Sequence, residues 1–376
     1  MSHKYKTKDY TLIYDLIVER NKKYAVITGM KNPTYNFLQN GNLVIPSKVN
    51  GIDVLAIGEK AFIYNRNIKN LFFEEGIKYI DKQAFAECLS LNSAVFPKSL
   101  KTLEFGCFYS SSLKDITFSE GLEHIGKRAF YNTKLENVHL PDSLIIIGPN
   151  AFENTNITNL HLGKKVKEIG DSAFCLCENL TDINLPESLI VVGKHAFKHC
   201  NQLKSIILPD SLITLKANVF DYCSSLELIH IGKSLNIFNE TYDFAYGCSN
   251  LKKITVSPLN HRFIVNNDTL YDKSHKTLIK VFNNTKCDTY IIPDWVDTIA
   301  DFAFSGVSFN ELIIKAPKLC NLDGDSIFAE KIYCVPNSSV EKYFLSEKMN
   351  VFPLPPTIED FLNEISKNNK DINEVK

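Results

Sequence analysis

The sequence predicts a strand-rich repeat solenoid of the α/β type, a right-handed array of about 11 coils of 22–24 residues. Two observations lead to this fold class. The chain of 376 residues contains 25 phenylalanines but one tryptophan, although its hydrophobic fraction is an ordinary 44%. Nine of the phenylalanines follow one another at steps of 22–24 residues: Phe62, Phe85, Phe108, Phe130, Phe152, Phe174, Phe197, Phe220 and Phe244. This spacing indicates one continuous repeat array rather than the two or three globular domains that the length alone suggests.

Each predicted coil begins with an extended run and ends with a phenylalanine. In the best-formed unit, Ile183 and Leu185 lie on one face of a strand, and Pro186 ends the ladder because it has no N–H group. Phe197 then fills the space inside the coil. One such unit cannot bury its own apolar side, so we expect the copies to stack and to build a continuous core between neighbours.

The repeated units resemble a known family. The segments KLENVHLPDSLIIIGPNAFENT (134–155) and NLTDINLPESLIVVGKHAFKHC (179–200) are similar to BspA-type leucine-rich repeats of bacterial and protist proteins. The resemblance extends over roughly residues 40–335. It implies a leucine-rich repeat fold and, for some members of the family, adhesion to host proteins or surfaces.

The interruptions of the repeat divide the chain into six expected segments. The step from Phe244 to Phe304 is 60 residues, and the segment 263–282 within it predicts two strands around a polar turn. We expect Phe304 and Phe328 at the same repeat position as the nine earlier phenylalanines. The six segments are an N-terminal hairpin cap at 1–42, the solenoid at 43–257, a β-hairpin insertion at 258–292, final repeats at 293–335, a C-terminal cap at 336–354 and a helical or flexible tail at 355–376.

The C-terminal residues predict a closing helix and a tail. The segment 332–346 indicates a last strand followed by a helix that covers the final coil. In the tail, Ile358, Phe361, Leu362 and Ile365 share one helical face. A loosely docked or frayed tail is the simpler interpretation, and a helix that binds a partner is the alternative.

The cysteines follow the repeat as well. Cys88, Cys177, Cys200 and Cys223 each stand three residues after a repeat phenylalanine, and Cys248 stands four after. We therefore interpret them as a buried ladder of thiols, which favours a reducing compartment. Neighbouring coils lie about 5 Å apart, so a zinc site or a disulfide is a geometrically possible alternative.

Composition and motifs exclude several classes of function. The 42 basic and 43 acidic residues nearly cancel, so no excess of charge favours nucleic acid or an anionic membrane. No apolar run approaches the roughly 20 residues of a membrane helix. The sequence contains no phosphate-binding loop, dinucleotide-binding fingerprint or zinc-protease motif. We expect a protein without enzymatic activity, cofactor or metal.

The candidate binding residues point outward from the repeated strands. Leucine-rich repeats curve with the strand face on the inside, so the outward residues of the strands are expected on a concave surface. His139 and His161 should lie about 5 Å apart there. Tolerance of polar residues on an exposed sheet is the simpler interpretation, and a ligand patch for a protein or glycan is the alternative. The flanking Thr117 and Asn184 argue against a metal site. The candidate residues are Asn137, His139, Asn159, His161, Asp182, Asn184 and His230.

These features predict a monomer that binds a protein or a glycan through its concave strand face. The resemblance implies adhesion at a cell surface. The first residues show no apolar stretch typical of a signal peptide, so the sequence by itself predicts a cytoplasmic protein. An intracellular scaffold or effector is therefore the alternative to an adhesin.

Overall fold

A computed structural model of the chain describes residues 2–31, 38–238, 244–282, 287–301, 303–305, 307–316, 319 and 327–354. The chain forms two compact units, unit 1 at Met1–Arg262 and unit 2 at Phe263–Lys376. Short strands of successive coils pair in parallel in both units, and the predicted strand-rich solenoid is confirmed. The boundaries of the six segments stay a prediction, and the tail at 355–376 lies outside the described residues.

Unit 1 begins with an antiparallel meander of three strands, one more than the predicted hairpin. Its strands are β1 (His3–Lys6), β2 (Thr11–Glu19) and β3 (Lys22–Lys31). A short 3-10 helix at Gln39–Gly41 precedes β4 (Asn42–Ile45), β5 (Lys48–Val49) and β6 (Ile52–Ile57). Because β3 pairs with β6 in parallel, the meander continues a sheet of the solenoid and covers its first edge. The Tyr10 hydroxyl also donates to the Val44 carbonyl at 2.6 Å.

The rest of unit 1 alternates two kinds of short strand. In chain order they are β7 (Asn70–Phe73), β8 (Tyr79–Ile80), β9 (Ser93–Val95), β10 (Thr102–Leu103), β11 (Asp115–Thr117), β12 (His124–Ile125), β13 (Asn137–His139), β14 (Ile146–Ile147), β15 (Asn159–His161), β16 (Glu168–Ile169), β17 (Asp182–Ile183), β18 (Val191–Val192), β19 (Ser205–Ile207), β20 (Thr214–Leu215), β21 (Leu228–Ile231), β22 (Ile237–Phe238) and β23 (Lys253–Val256). We call β4 and the odd-numbered strands β7 to β23 the front strands, and β6 and the even-numbered strands β8 to β22 the back strands.

The back strands form one continuous sheet, whereas the front strands form three. The back sheet has the order β1-β2-β3-β6-β8-β10-β12-β14-β16-β18-β20-β22. The front sheets are β4-β7-β9-β11, β13-β15-β17 and β19-β21-β23. The predicted run of extended residues corresponds to the front strands. The back strands are a finding of the structure, since most contain two residues and show no alternation long enough to be recognised.

The repeat phenylalanines fill the inside of the coils, as predicted. Consecutive rings from Phe62 to Phe220 stack with centroids 5.0–5.9 Å apart and planes within 15° of parallel. A second row of aromatic rings, Phe73, Phe96 and Phe118, packs against this stack. Each ring therefore belongs to the core of two neighbouring coils at once.

The interpretation of the cysteines as a thiol ladder is confirmed for unit 1. The Cys177 and Cys200 thiols donate to the carbonyls of Phe152 and Phe174, each at 3.3 Å. Cys88, Cys223 and Cys248 make the same contact, at 3.0–3.1 Å. Burial raises the pKa of the Cys177 thiol to about 12. The cysteines described as free thiols are Cys88, Cys107, Cys175, Cys177, Cys200, Cys223, Cys248 and Cys334.

The third side of each coil, which we call the turn side, consists of tight turns around the phenylalanine. The amides of Lys60, Phe62 and Tyr64 donate to carbonyls 22 residues later, at 2.8–2.9 Å, and later coils repeat the pattern. Two positions per coil, four residues apart, adopt left-handed backbone with φ of 50–60°. The two positions are occupied by Lys60 and Tyr64, Gln83 and Glu87, Gly106 and Ser110, Arg128 and Asn132, Asn150 and Asn154, Ser172 and Leu176, His195 and His199, and Asn218 and Tyr222.

Unit 2 contains two described sheets and the closing helix. Its elements are β24 (Phe263–Asn266), β25 (Thr269–Asp272), β26 (Thr277–Val281), β27 (Cys287–Ile292), β28 (Thr298–Ile299), β29 (Ser308–Ile314), β30 (Phe328–Cys334), α1 (Ser339–Ser346) and β31 (Val351–Pro353). The sheets are β24-β25-β26-β28 and β27-β29-β30-β31. The predicted strand and helix are present as β30 and α1, but β30 is not the last strand, because β31 follows the helix and pairs with β30. The Ser338 hydroxyl caps the helix by accepting the Glu341 amide at 3.1 Å.

Two predictions about unit 2 are wrong. The segment 263–282 contains three strands rather than two, because Asn267 and Asp268 both adopt left-handed backbone and form an additional tight turn. Phe328 does not occupy the repeat position. It is the first residue of β30 and is 65% exposed, while the preceding Ile327 is buried. Phe304 is fully buried, as expected.

Candidate functional site

The front strands present two parallel rows of outward side chains in register from coil to coil. The first, which we call the asparagine row, consists of Asn42, Asn70, Ser93, Asp115, Asn137, Asn159, Asp182, Ser205, Leu228 and Lys253. The second, the histidine row, consists of Val44, Phe72, Val95, Thr117, His139, His161, Ile207, His230 and Thr255. Together these rows form the front surface.

His139 and His161 form a stacked pair in the middle of the histidine row. They are register partners on β13 and β15, and both side chains are exposed. Their ring centroids are 4.7 Å apart and the planes are inclined by 21°. This separation equals the spacing of neighbouring strands, so the backbone itself holds the imidazoles face to face.

The asparagine row is a ladder of hydrogen-bonded amides. Asn159 Nδ2 donates to Asn137 Oδ1 at 2.7 Å, directly beside the histidine pair. Asn70 Nδ2 donates to Asn42 Oδ1 at 2.8 Å in the first coils. Each amide uses only part of its hydrogen-bonding capacity in this ladder, because a carboxamide offers two donors and two acceptor positions. The ladder therefore fixes the side chains and leaves groups that can bind a ligand.

The structure brings five of the seven candidate residues together. We call Asn137, His139, Asn159, His161 and Asp182 the front patch, since all five lie on the sheet β13-β15-β17.

The other two candidate residues lie outside this sheet. Asn184 follows the end of β17, and its side chain is exposed. His230 belongs to the next front sheet, is half-buried and lies 2.8 Å from Thr255 Oγ1 through its Nδ1 atom. Its ring is therefore committed to a neighbour within its own sheet.

An ion pair across two coils borders the front patch. Asp142 accepts the Lys164 backbone N–H at 3.0 Å and the Lys164 ammonium at 3.1 Å. These bonds lower the pKa of the Asp142 carboxyl, with a smaller contribution from His161. The close contact requires Gly163, where a Cβ atom would stand 1.9 Å from the Pro141 carbonyl oxygen.

The same arrangement recurs beside His230. Asp210 accepts the Lys233 backbone N–H at 2.9 Å, which lowers the pKa of the Asp210 carboxyl. In both places the sequence reads His-x-Gly-Lys, at 161–164 and 230–233, with Pro-Asp on the preceding coil. Sequence reasoning missed Asp142 and Lys164, although this recurring motif is the signal that would have found them.

The N-terminal part of the histidine row is apolar. Val44, Phe72 and Val95 lie side by side and are 41%, 39% and 42% exposed. The histidine row therefore changes at Thr117 from an apolar part to a part that is mostly polar, with Ile207 as an exposed apolar exception.

The front surface offers flat rings, amides and apolar side chains, which suit recognition. Within the described residues, no group of three His, Cys, Asp or Glu side chains is placed to hold a metal ion. None of the helices that the structure describes has the length and apolar character needed to cross a bilayer.

Several solved structures of bacterial proteins are similar to this chain. A leucine-rich repeat protein from Bacteroides ovatus is 20% identical, with 93% of this chain and 100% of that chain covered and a TM-score of 0.55. The pneumococcal vaccine antigen PcpA is 18% identical over 94% of this chain and 99% of that chain, with a TM-score of 0.46. A leucine-rich cell surface protein from Faecalibacterium prausnitzii is 17% identical over 88% and 78% of the two chains, with a TM-score of 0.45.

The family model agrees with the fold. No curated protein matches the sequence. The model of the BspA-type leucine-rich repeat region matches residues 34–155, 145–275 and 276–371, which is most of the chain. Together with the stacked coils described above, this match establishes that the chain belongs to the BspA-type leucine-rich repeat family.

Proposed function

We propose that this protein is a monomeric, non-enzymatic binding module that recognises a protein or a glycan through its front surface, with the front patch at the centre. The observation that carries the proposal is the stacked pair of His139 and His161 beside the hydrogen-bonded pair of Asn137 and Asn159. Repeat proteins of this architecture use extended concave surfaces for binding.

The chemistry of the front patch fits a neutral, hydrogen-bonding ligand. Two amides and two imidazoles offer donors and acceptors at a spacing set by the strands. Vicinal hydroxyls of a sugar, or the backbone of a bound peptide, offer complementary groups at a similar spacing. The exposed Phe72 and Val95 extend the surface with an apolar region that a protein partner would cover.

Binding through the front surface would serve a protein at the cell surface or a protein inside the cell. Membership of the family supports adhesion to host proteins or surfaces, and an intracellular scaffold or effector is the alternative. Treatment of intact cells with a protease that cannot enter them separates the two. Digestion of the protein supports the adhesin, and full protection supports the intracellular alternative.

Binding through the front patch is tested with a double variant, His139→Ala together with His161→Ala. The wild-type protein and the variant are applied to a printed glycan array and to an array of purified extracellular and cytosolic proteins. We expect loss of about tenfold or more in affinity for the ligand that the wild type binds.

The matched control is His124→Ala, which removes an imidazole from the back strand β12. It should bind as the wild type does. Equal binding by the double variant and the wild type would remove the front patch from the proposal.

A further inference from the structure

A second surface of unit 1 is an open groove on the back sheet, distinct from the front surface. Its volume is about 910 Å³, and it lies where the cap strands join the first coils. Asp15 on β2, Val26 on β3, Ala56 on β6 and Tyr79 on β8 are register partners in turn and form one row across it. The cap and the first coils therefore build it together.

The groove exists because small residues stand between larger ones. Ala56 and Gly58 form the floor, between Val26 and Thr28 on one side and Tyr79 on the other. The Gly58 amide donates to the Ile27 carbonyl at 2.7 Å, which draws the floor towards β3. A larger side chain at either floor position would fill the depression.

The walls of the groove are apolar and partly exposed. Ile17, Val18 and Tyr79 are 39%, 67% and 36% exposed, and the buried Leu55 contributes to the lining. Solvent-exposed apolar side chains that surround a concave surface are typical of a binding site.

Negative charge surrounds this apolar lining. The only ammonium group among the lining residues is that of Lys82. One of the carboxylates, Glu59, has a cationic partner in Lys60 at 3.3 Å. The lining carboxylates are those of Asp15, Glu19, Glu59, Asp81 and Glu104. The groove therefore has a surplus of negative charge in a chain whose total charge is −1.

One of these carboxylates has an unmet requirement for a hydrogen bond. Asp15 Oδ1 is shielded from solvent and has no hydrogen-bond partner within the residues that the structure describes. A shielded carboxylate oxygen without a donor is unfavourable, and a cationic group bound beside the Asp15 carboxyl would offset its negative charge.

We propose that the groove binds an extended peptide segment of a partner protein in which lysine or arginine alternates with apolar residues. The apolar side chains would cover Ile17, Val18 and Tyr79, and a cationic side chain would reach Asp15. Alternation suits this site because successive side chains of an extended peptide point to opposite sides. The proposal does not depend on the function of the front patch.

The probe is a fluorescein-labelled peptide of sequence Val-Lys-Val-Lys-Val-Lys-Val, titrated with the full chain and followed by fluorescence anisotropy. Ala56→Leu fills the floor, and Asp15→Asn and Glu104→Gln each remove a charge from the lining. We expect each variant to weaken binding by about tenfold and added salt to weaken it further. Glu168→Gln is the matched control and should bind as the wild type does, because it removes an exposed carboxylate from β16, three strands beyond β10 in the back sheet and outside the groove lining.

Three outcomes would overturn the proposal. The first is equal affinity for a peptide in which glutamate replaces lysine, since charge would then play no part. The second is unchanged binding by Glu104→Gln, an exchange that does not alter the floor and serves if Ala56→Leu disturbs folding. The third is self-association of the wild type that Ala56→Leu abolishes in sedimentation, because a second copy would then occupy the groove.

Discussion

The buried phenylalanine stack and the exposed histidine row run through the same coils of unit 1, and they obey different rules. Inside the coils, one residue type recurs from Phe62 to Phe220, and each ring from Phe85 to Phe197 lies between two equal rings. Outside, the row changes from valine and phenylalanine to threonine and then to histidine. Neighbouring rings are 5.0–5.9 Å apart in the stack and 4.7 Å apart in the His139–His161 pair, so the spacing along the two rows is similar.

The difference follows from what each side chain contacts. A ring in the stack packs against the rings of the coils before and after it, so a change at one position disturbs both neighbours. An outward side chain has a neighbour along its row and solvent on its free side. Packing therefore fixes the residue type in the phenylalanine stack, whereas the residue type in the histidine row is free to vary. Specific recognition is expected in the histidine row for this reason.

Removal of a ring from the phenylalanine stack should cause the largest loss of stability. Phe174→Ala should lower the free energy of unfolding by about 3–5 kcal/mol, because it leaves a cavity between the rings of Phe152 and Phe197. Urea unfolding followed by circular dichroism measures the change. The matched control is Phe72→Ala, the same truncation at a 39% exposed position of the front surface. Similar losses for both variants would contradict the distinction between the two rows.

Substitution of a glycine outside the stack should cause the second largest loss of stability. In Gly163→Ala the new Cβ would stand 1.9 Å from the Pro141 carbonyl oxygen, so the two coils must separate. We expect a loss of about 1–3 kcal/mol by urea unfolding, as for other overpacked sites. Lys164→Ala, one residue later and with an 82% exposed side chain, is the control. Equal stability of Gly163→Ala and wild type would show that the coils can slide apart at no cost.

Alkaline pH should reveal the thiol ladder. Burial raises the pKa of Cys177 from its ordinary value of 9.0 to about 12, so the folded chain keeps a proton that the unfolded chain releases. This contribution to stability is complete below pH 9 and is lost as the pH rises towards 12, by about 1.4 kcal/mol per pH unit.

The variant Cys177→Thr isolates that contribution. Threonine already stands at the equivalent position of two coils, as Thr133 and Thr155. Unfolding in urea at pH 8, 9, 10 and 11 under reducing conditions should show a smaller decrease in stability for the variant than for the wild type. Parallel decreases for the two proteins would mean that the Cys177 thiolate is tolerated in the folded core.

Substitutions in the histidine row should have the smallest effect on stability. His139→Ala with His161→Ala should change the free energy of unfolding by less than about 0.5 kcal/mol, because both rings face solvent. Thermal and urea unfolding measure it beside the loss of ligand binding expected for the same variant. A loss of several kcal/mol would assign the pair to the fold rather than to recognition.

The sequence predicted those features that repeat with the period of the coil. Phe174 and Cys177 recur at fixed offsets, so their burial follows from spacing alone. Val191 and Val192 on β18 recur too, but two residues show no alternation that separates a strand from a turn. The tight turn at Asn267 and Asp268 lies in the insertion, where no repeat predicts the positions of strands and turns.

The candidate site was only partly predictable for a related reason. Spacing assigned His139, His161 and His230 to one row, but it carries no information about where the hydrogen bonding between front strands stops. The break after β17 leaves His230 in another sheet. The groove on the back sheet depends on Ala56 and Asp15, which a meander brings together and no motif connects.

The backbone hydrogen bonds on the turn side align peptide dipoles. Its hydrogen bonds between coils run from the amide of one coil to the carbonyl of the next, as for Phe62 to Ala84 and Phe85 to Cys107. The peptide dipoles that take part therefore add along the coil axis, as they do in a helix, whereas those of strands largely cancel. The turn side thus has a polar direction of its own, with N–H groups directed towards the later coils and carbonyl groups towards the cap.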